Sequence, residues 1–222
     1  MLSHLREQGF ATLMEALTAE RGRLARLFDE AGGLEPYLAQ LDRRLGLAPG
    51  LDRATLLGGF CAEASFEGPG LRRICALLDA SKAVTDGRRG KALAAWLAAA
   101  PERRAERWEE YRDQFLTQAR QPRAALATKA ILAAGDWVGD CLLTEQARVL
   151  ALQEKLAALV TRDASAALAR LGHAFLAGYE AAKRQRALLD YDDLILATRK
   201  LLATPGVAPW VLFKLDGGST TF

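Results

Sequence analysis

The sequence has few of the residues that define β-rich protein classes. Aromatic residues make up only 7% of its 222 residues, β-branched residues are sparse, and alanine and leucine dominate the apolar half. This balance favours helix over sheet. Because half of the residues are hydrophobic, the chain can bury a substantial core and is not expected to be disordered. We therefore predict an all-α fold.

Cysteine and long apolar runs are also scarce. Cys61, Cys75 and Cys141 lie far apart without CxxC spacing, which argues against a disulfide framework and against a zinc site. We expect thiols in a reducing compartment. No apolar run approaches the roughly 18–20 residues of a membrane span, and the N-terminus lacks the apolar core of a signal peptide. The sequence therefore predicts a cytoplasmic protein without a membrane partner.

The sequence contains no nucleotide-binding loop. Such a loop needs GxxxxGK[ST] between a strand and a helix, so that backbone amides and a lysine surround the phosphates. The stretch Gly87–Lys91 is glycine-rich and basic but lacks that spacing and the following Ser or Thr. His4 and His173 have no neighbouring His, Cys or triad-like partner. We predict no catalytic residue and no metal ligand, so an independent helical enzyme is disfavoured.

Helical patterns follow one another along the chain. Apolar residues recur at steps of three and four, and glycine and proline interrupt them. We predict a first helix over Leu5–Glu30, with Asp52 as a later N-cap and Pro101 opening another helix. Ser81–Gly90 is predicted to be a polar loop.

The longest helical pattern lies in the proline-free interval between Pro122 and Pro205. It predicts one very long helix over about Asp140–Arg186, around which the fold is built. A coiled coil fits less well, because the apolar set drifts and charge complementarity is poor. The predicted apolar positions are Val149, Leu152, Leu156, Val160, Ala164, Ala167, Leu171, Phe175 and Tyr179.

Basic residues are clustered, although the formal net charge is only +3. Segment 81–91 has four cations and one acid, Asp86; segment 117–129 has three cations and two threonines; segment 183–186 has three cations. Clustered cations with short polar donors suit phosphate binding, although each segment alone also fits a solvated surface. The candidate DNA-binding residues are Lys82, Arg88, Arg89, Lys91, Thr117, Arg120, Arg123, Thr128, Lys129, Lys183, Arg184 and Arg186.

Tryptophans beside cations could stack on bases, as in single-strand binders. Trp96 and Trp108 lie at core-like helical spacing, so we predict that both are buried. Trp137 is predicted to lie in a loop over Gly135–Gly139, and its context leaves exposure open. Stacking and burial therefore remain alternatives for Trp137.

Three aspartates, Asp190, Asp192 and Asp193, form the densest acidic cluster. Three nearby carboxylates can hold a hard cation. Alternatively, Asp190 is an N-cap and the other two lie in the first helical turn, where negative charge offsets the helix dipole. We favour capping, because such caps are common at helix starts.

Two passages of the chain resemble one protein family. The C-terminal elements Tyr191–Leu194, Pro205–Val207 and Leu215–Gly218 resemble a passage of the UvrD-like superfamily 1 DNA helicases, in particular the AddA type. Phe115–Thr117, followed by Pro122-Arg123 and Ala127–Lys129, resembles an AddA passage of the form FLT…PR…L-x-TK. The family usually has lysine directly after FLT, whereas this chain has Gln118.

The resemblance implies that the chain is an internal fragment covering accessory subdomain 1B, which is inserted between the Walker A and Walker B halves of motor domain 1A. Residues 1–187 would form the subdomain, 188–218 the return segment toward the motor, and 219–222 an atypical tail. The resemblance makes the family signature a structural junction without a catalytic role. Its residues are Asp190, Tyr191, Asp192, Asp193, Leu194, Asp216, Gly217 and Gly218.

The implied parent is an ATP-dependent 3′-to-5′ helicase and exonuclease of double-strand-break repair and recombination. By resemblance the parent uses ATP and Mg and pairs with an AddB-like subunit, whereas this fragment holds no cofactor and is expected to be inactive alone. The fragment would guide duplex DNA without sequence preference. The alternative is a structural or interaction module that braces the motor or contacts AddB without touching DNA.

Overall fold

The computed structural model describes residues 7–189, 191–205 and 207–215, and the regular elements within these ranges are all helices. The predicted all-α fold is therefore confirmed. A short 3-10 helix covers Glu63–Ser65. The α-helices are α1 Glu7–Ala19, α2 Arg21–Ala31, α3 Leu34–Arg44, α4 Arg53–Cys61, α5 Gly68–Asp79, α6 Val84–Leu97, α7 Pro101–Glu106, α8 Trp108–Phe115, α9 Lys129–Leu132, α10 Asp136–Arg186, α11 Tyr191–Leu202 and α12 Val207–Leu215.

The chain divides into two compact units. The core unit is Ala39–Ser165, and the terminal unit combines Met1–Leu38 with Ala166–Phe222. Helices α3 and α10 contribute residues to both units. The boundary near residue 187, which follows from the family resemblance, stays a prediction.

The very long helix is confirmed as α10, which has 51 residues. It begins at Asp136. Gly135, the residue before it, has φ of 144° and separates α10 from the preceding turn. The predicted loop over Gly135–Gly139 is therefore wrong, and Trp137 lies in the first turn of α10. A helical glycine such as Gly139 costs about 1 kcal/mol. Burial of Val138 and Leu142 on the same helix offsets this cost.

The buried stripe of α10 departs from the apolar series of the sequence after Leu156. Val160, the next residue of that series, is 69% exposed, whereas Leu159 is 4% exposed. Ala164 is likewise exposed, and Ala166 is buried. Successive steps of four rotate a position by about 40° beyond a full turn each time, because the helix has 3.6 residues per turn. Alternating steps of three and four keep the side chains on one face.

An aromatic cluster lies at the centre of the core unit. Trp96 and Trp108 are both buried, as predicted. Trp96 stacks on Tyr111 with ring centroids 3.9 Å apart, and Phe60 meets Trp108 edge-on at 4.9 Å. Offset-stacked and edge-to-face pairs contribute about 0.5–1.5 kcal/mol each beyond area burial. Helices α4, α6 and α8 are therefore held together by aromatic packing.

The helix ends follow the sequence in part. Asp52 accepts a hydrogen bond from the Thr55 backbone amide at 2.7 Å, and Pro101 opens α7, which confirms both predictions. The single predicted helix over Leu5–Glu30 is wrong, because α1 and α2 separate at Glu20. The Thr18 hydroxyl donates to the Met14 carbonyl in the last turn of α1, a contact that bends helices. Leu5 lies outside the described residues.

The predicted polar loop over Ser81–Gly90 is also wrong, because α6 begins at Val84. The segment is polar, yet it has an inward-facing side. Gly90 packs so closely on α5 that an added Cβ would lie 2.9 Å from the Leu78 Cβ and 3.3 Å from the Asp79 backbone nitrogen. The absence of a side chain at Gly90 lets α5 and α6 approach each other.

We expect Gly90→Ala to lower the free energy of unfolding by about 1–3 kcal/mol, because backbone atoms of α5 cannot move aside without repacking. Gly87→Ala is the matched control in the same helix, where an added Cβ meets nothing within 4 Å. It should raise stability by about 0.5–1 kcal/mol. Urea unfolding of both variants checks the pair, and equal effects would contradict the close approach.

Candidate nucleic-acid interface

Two of the predicted basic segments meet at a buried carboxylate. Asp86 on α6 is 2% exposed. Its Oδ2 accepts hydrogen bonds from the Thr128 hydroxyl at 2.7 Å and from the Ser81 hydroxyl at 3.0 Å, and its Oδ1 accepts one from the Thr128 amide at 3.3 Å. Segments 81–91 and 117–129 are thereby joined within the core unit. We call these two segments together the basic junction.

The first residues of segment 117–129 form a tight turn. The Thr117 amide donates to the Gln121 carbonyl at 2.8 Å, and Leu116 forms an antiparallel bridge with Pro122. Arg120 has φ of 62°, in the left-handed region that closes such turns. Its exposed guanidinium lies 3.6 Å from an Asp113 carboxylate oxygen.

A glutamine of α10 holds the base of this turn. Gln146 is buried, and its Nε2 donates to the Phe115 carbonyl at 2.9 Å and to the Arg123 carbonyl at 3.0 Å. The amide thus bonds both arms of the turn. Since its two donors are used in this way, Gln146 positions the turn relative to the core.

The cations of segment 81–91 point in two directions. Lys82, Arg88 and Lys91 are exposed and line a shallow cavity of about 490 Å³ together with Asp79. Arg89 instead turns toward the other segment, where its Nη2 lies 3.5 Å from the Ala125 carbonyl oxygen. The helix that replaces the predicted loop therefore divides these four cations between two faces.

The two predicted threonine donors have internal roles. The Thr128 hydroxyl donates to Asp86, and the Thr117 hydroxyl oxygen accepts a hydrogen bond from the Gln121 amide at 3.2 Å. Thr128 therefore joins the two segments of the basic junction, and Thr117 closes the turn within one of them. Their contact with a phosphate stays a prediction, as does that of Lys129, which is exposed at the start of α9.

The third basic segment lies in the terminal unit. Lys183 is 9% exposed, forms an ion pair with Glu180 at 2.8 Å and also pairs with Asp193. Its ammonium lies 4.9 Å from the centroid of the Tyr179 ring. Arg184 and Arg186 are exposed. The Lys183 charge is compensated locally, which leaves these two arginines as the solvent-facing cations of segment 183–186.

The family signature falls partly within the described residues. Tyr191 and Leu194 are exposed on α11, and the Asp193 carboxylate pairs with Lys183. The predicted capping role of Asp190 lies outside the described residues, as does the side chain of Asp192. The same holds for Asp216, Gly217 and Gly218 and for the tail at 219–222.

A second concave region lies beside the first turns of α10. It has a volume of about 720 Å³, and Phe66, Glu67, Trp137 and Cys141 are among its lining residues. Trp137 is half-buried, and the Arg73 guanidinium lies 4.3 Å from its ring centroid. Burial, and next the charge of Glu67, raise the pKa of the Cys141 thiol to about 11. At neutral pH this thiol is protonated and a poor nucleophile.

The residues that sequence reasoning missed are the polar ones on buried faces. Asp86 was counted only as a charge offset, although it lies seven residues before Leu93 and so on the same face of α6. Gln146 lies between Leu142 and Val149 on the buried stripe of α10. A polar residue in an apolar stripe was the available signal.

Within the described ranges, no group of three or more His, Cys, Asp or Glu side chains could hold a metal ion. The same ranges contain no helix that is both long enough and apolar enough to cross a membrane. No protein-family model, curated protein or solved structure matches the chain. The likeness to AddA-type helicases therefore stays a prediction from the residues.

Proposed function

We propose that this chain is the DNA-binding accessory portion of an AddA-type, ATP-dependent 3′-to-5′ helicase–nuclease, and that its basic junction holds duplex DNA for the motor. The observation that carries the proposal is the meeting of two basic segments around Asp86. The two segments together contribute seven cations: Lys82, Arg88, Arg89, Lys91, Arg120, Arg123 and Lys129. Two joined basic segments support phosphate binding more strongly than either segment alone.

The chemistry of the junction suits the DNA backbone. Cationic side chains bind phosphates by releasing condensed counterions, a process that carries no sequence information. Gln146 holds both arms of the turn, and this fixes the backbone that carries Arg120. Other parts of the parent would hydrolyse ATP, bind Mg and cleave the strands. They would also pair with an AddB-like subunit. The chain's own contribution would be to guide the duplex.

Duplex binding by the isolated chain tests the proposal. We expect fluorescence anisotropy to detect binding of a labelled duplex of about 20 base pairs at 50 mM salt, with equal affinity for unrelated sequences. With about four phosphate contacts, affinity should fall on the order of 10²-fold between 50 and 200 mM salt. A complete lack of binding at 50 mM salt would refute the proposal.

A matched pair of variants shows where the duplex binds. Arg88→Gln with Lys129→Gln removes two charges from the basic junction and should weaken binding at least about tenfold, with a salt slope lower by about two. Arg103→Gln with Arg107→Gln removes two exposed charges, one in α7 and one directly after it, and should leave the salt slope unchanged. Equal losses in both variants would mean that only net charge matters.

A second candidate function is an interaction module, and the terminal helices favour it. Leu194 and Ile195 on α11, and Trp210 and Phe213 on α12, are all more than half exposed. Exposed apolar side chains in such number are typical of surfaces that contact another domain or subunit. In a full-length parent these helices would pack on the motor or on an AddB-like partner.

Charge reversal separates the two candidates. Arg123→Glu with Lys129→Glu in the full-length parent should reduce unwinding if the junction holds DNA. Under the interaction hypothesis unwinding should be unchanged, whereas Leu194→Glu with Ile195→Glu should disrupt assembly.

A further inference from the structure

Arg89 lies in an unfavourable environment. Its Nε is buried and has no hydrogen-bond acceptor within the described part of the chain. The bond from its Nη2 to the Ala125 carbonyl, at 3.5 Å, is at the upper limit for a hydrogen bond. A buried donor without an acceptor costs about 1–3 kcal/mol. Such a group calls for a physical explanation.

A second arginine adds to this imbalance. Arg123 lies two residues from Ala125, and its Nε donates to the Asp113 carbonyl at 3.0 Å. Burial, and next the charge of Arg123, lower the pKa of Arg89 below its ordinary value, whereas Asp86 raises it. The two guanidinium groups are thus like charges that repel each other.

No carboxylate of the described residues pairs with either arginine. Asp86 is the acid nearest in sequence to Arg89, but both of its oxygens already accept hydrogen bonds from Ser81 and Thr128. Arg89 therefore reaches the segment that carries Arg123, while the carboxylate of Asp86 is bonded to other residues.

We propose that Arg89 and Arg123 together hold one phosphate group, with the guanidinium of the half-buried Arg89 turning outward to meet it. A phosphate between the two arginines offsets their repulsion and gives the Arg89 Nε an acceptor, and the planar fork of each guanidinium suits phosphate oxygens. That the phosphate belongs to a DNA backbone rests on the proposed function; a free phosphate ion has the same chemistry.

The test follows the Arg89 Nε–Hε signal in ¹⁵N-edited NMR spectra of the full chain, assigned through its loss in Arg89→Lys. We expect a downfield shift during titration with inorganic phosphate and during titration with the duplex, because Nε gains an acceptor in both. Arg123→Gln should weaken phosphate binding about tenfold. Arg103→Gln, which removes an exposed arginine of α7, should leave it unchanged.

The two probes separate this inference from the proposed function. A shift with the duplex alone supports a backbone phosphate at the pair, and a shift with phosphate alone supports the pair but contradicts its contact with the DNA backbone. Duplex binding without any Arg89 shift overturns the inference and leaves the proposed function standing. Absence of both duplex binding and shift overturns both.

Thermal unfolding provides a readout that a merely structural arginine would not change. Inorganic phosphate should raise the midpoint of the wild-type chain but not that of Arg89→Met, which keeps an unbranched stem without the guanidinium and its charge. Without phosphate, Arg89→Met should unfold at or above the wild-type midpoint. An equal loss of stability in Arg89→Met with and without phosphate would assign Arg89 to packing and overturn the inference.

Discussion

Alanine in place of Arg104 is expected to lower the free energy of unfolding of the core unit by about 3–5 kcal/mol. Arg104 is 4% exposed, and its guanidinium donates to the Cys61, Trp96 and Leu97 carbonyls at 3.1, 3.2 and 2.7 Å. It also forms an ion pair with Glu63 at 2.8 Å. The variant removes every one of these donors from the interior.

The size of the effect follows from where those carbonyls lie. Cys61 ends α4, and Trp96 and Leu97 end α6, so one cation caps the C-termini of two helices. The last carbonyls of a helix have no partner within the helix and carry the negative end of its dipole. Without Arg104 these buried carbonyls lose a donor that water cannot replace.

Unfolding by urea, followed by the fluorescence of the buried tryptophans, measures this change. Arg103→Ala is the matched control, at the position directly before Arg104. The Arg103 side chain is 73% exposed and should contribute at most about 1 kcal/mol to the free energy of unfolding. Arg104→Lys should fall between the two, because an ammonium on a different stem cannot reproduce the guanidinium fork. If Arg104→Ala were as stable as Arg103→Ala, the conclusion that Arg104 caps both α4 and α6 would be wrong.

Asp86→Ala is expected to lower the free energy of unfolding by about 2–4 kcal/mol, because it leaves the Thr128 amide and hydroxyl without their acceptor. Stability should be lost most strongly around Thr128, in addition to the loss for the whole core unit. Segment 117–129 loses its bond to α6, so the Thr128 amide should exchange its hydrogen with solvent faster than in the wild-type chain.

Hydrogen exchange and urea unfolding together check the Asp86 prediction. Asp86→Asn keeps an acceptor oxygen and should lose about half as much stability. Asp79→Ala is the control on the same surface, since this side chain is exposed beside Lys82 and Lys91 and its effect should stay within about 1 kcal/mol. Unchanged protection of the Thr128 amide in Asp86→Ala would contradict the junction.

The long helix shows how far local patterns reach. Proline-free sequence and apolar spacing predict α10 within four residues of its observed start and at its observed end. Helical hydrogen bonds join residues four apart, so the information lies within each turn. Which residues of α10 are buried after Leu156 does not follow from this spacing, because burial depends on the helices packed against it.

Segment 81–91 shows where local patterns fail. Its charges and two glycines are typical of a loop, yet it forms the first half of α6. The helix is stabilised by burial of Gly90 against α5 and by the bonds of Asp86 to Thr128, a residue 42 positions later. Neither partner is visible in the segment itself, so tertiary contacts override local preference.

The sequence by itself determined that the chain is all-α, that one helix is very long, and where basic residues cluster, because composition, periodicity and charge act over a few residues. Only the tertiary structure decided that two clusters join at Asp86, that Arg104 caps two helices, and that Arg89 reaches the Ala125 carbonyl. These features depend on buried polar groups finding partners far away in the chain. Such pairing is strongly required inside a protein and leaves little trace in local sequence.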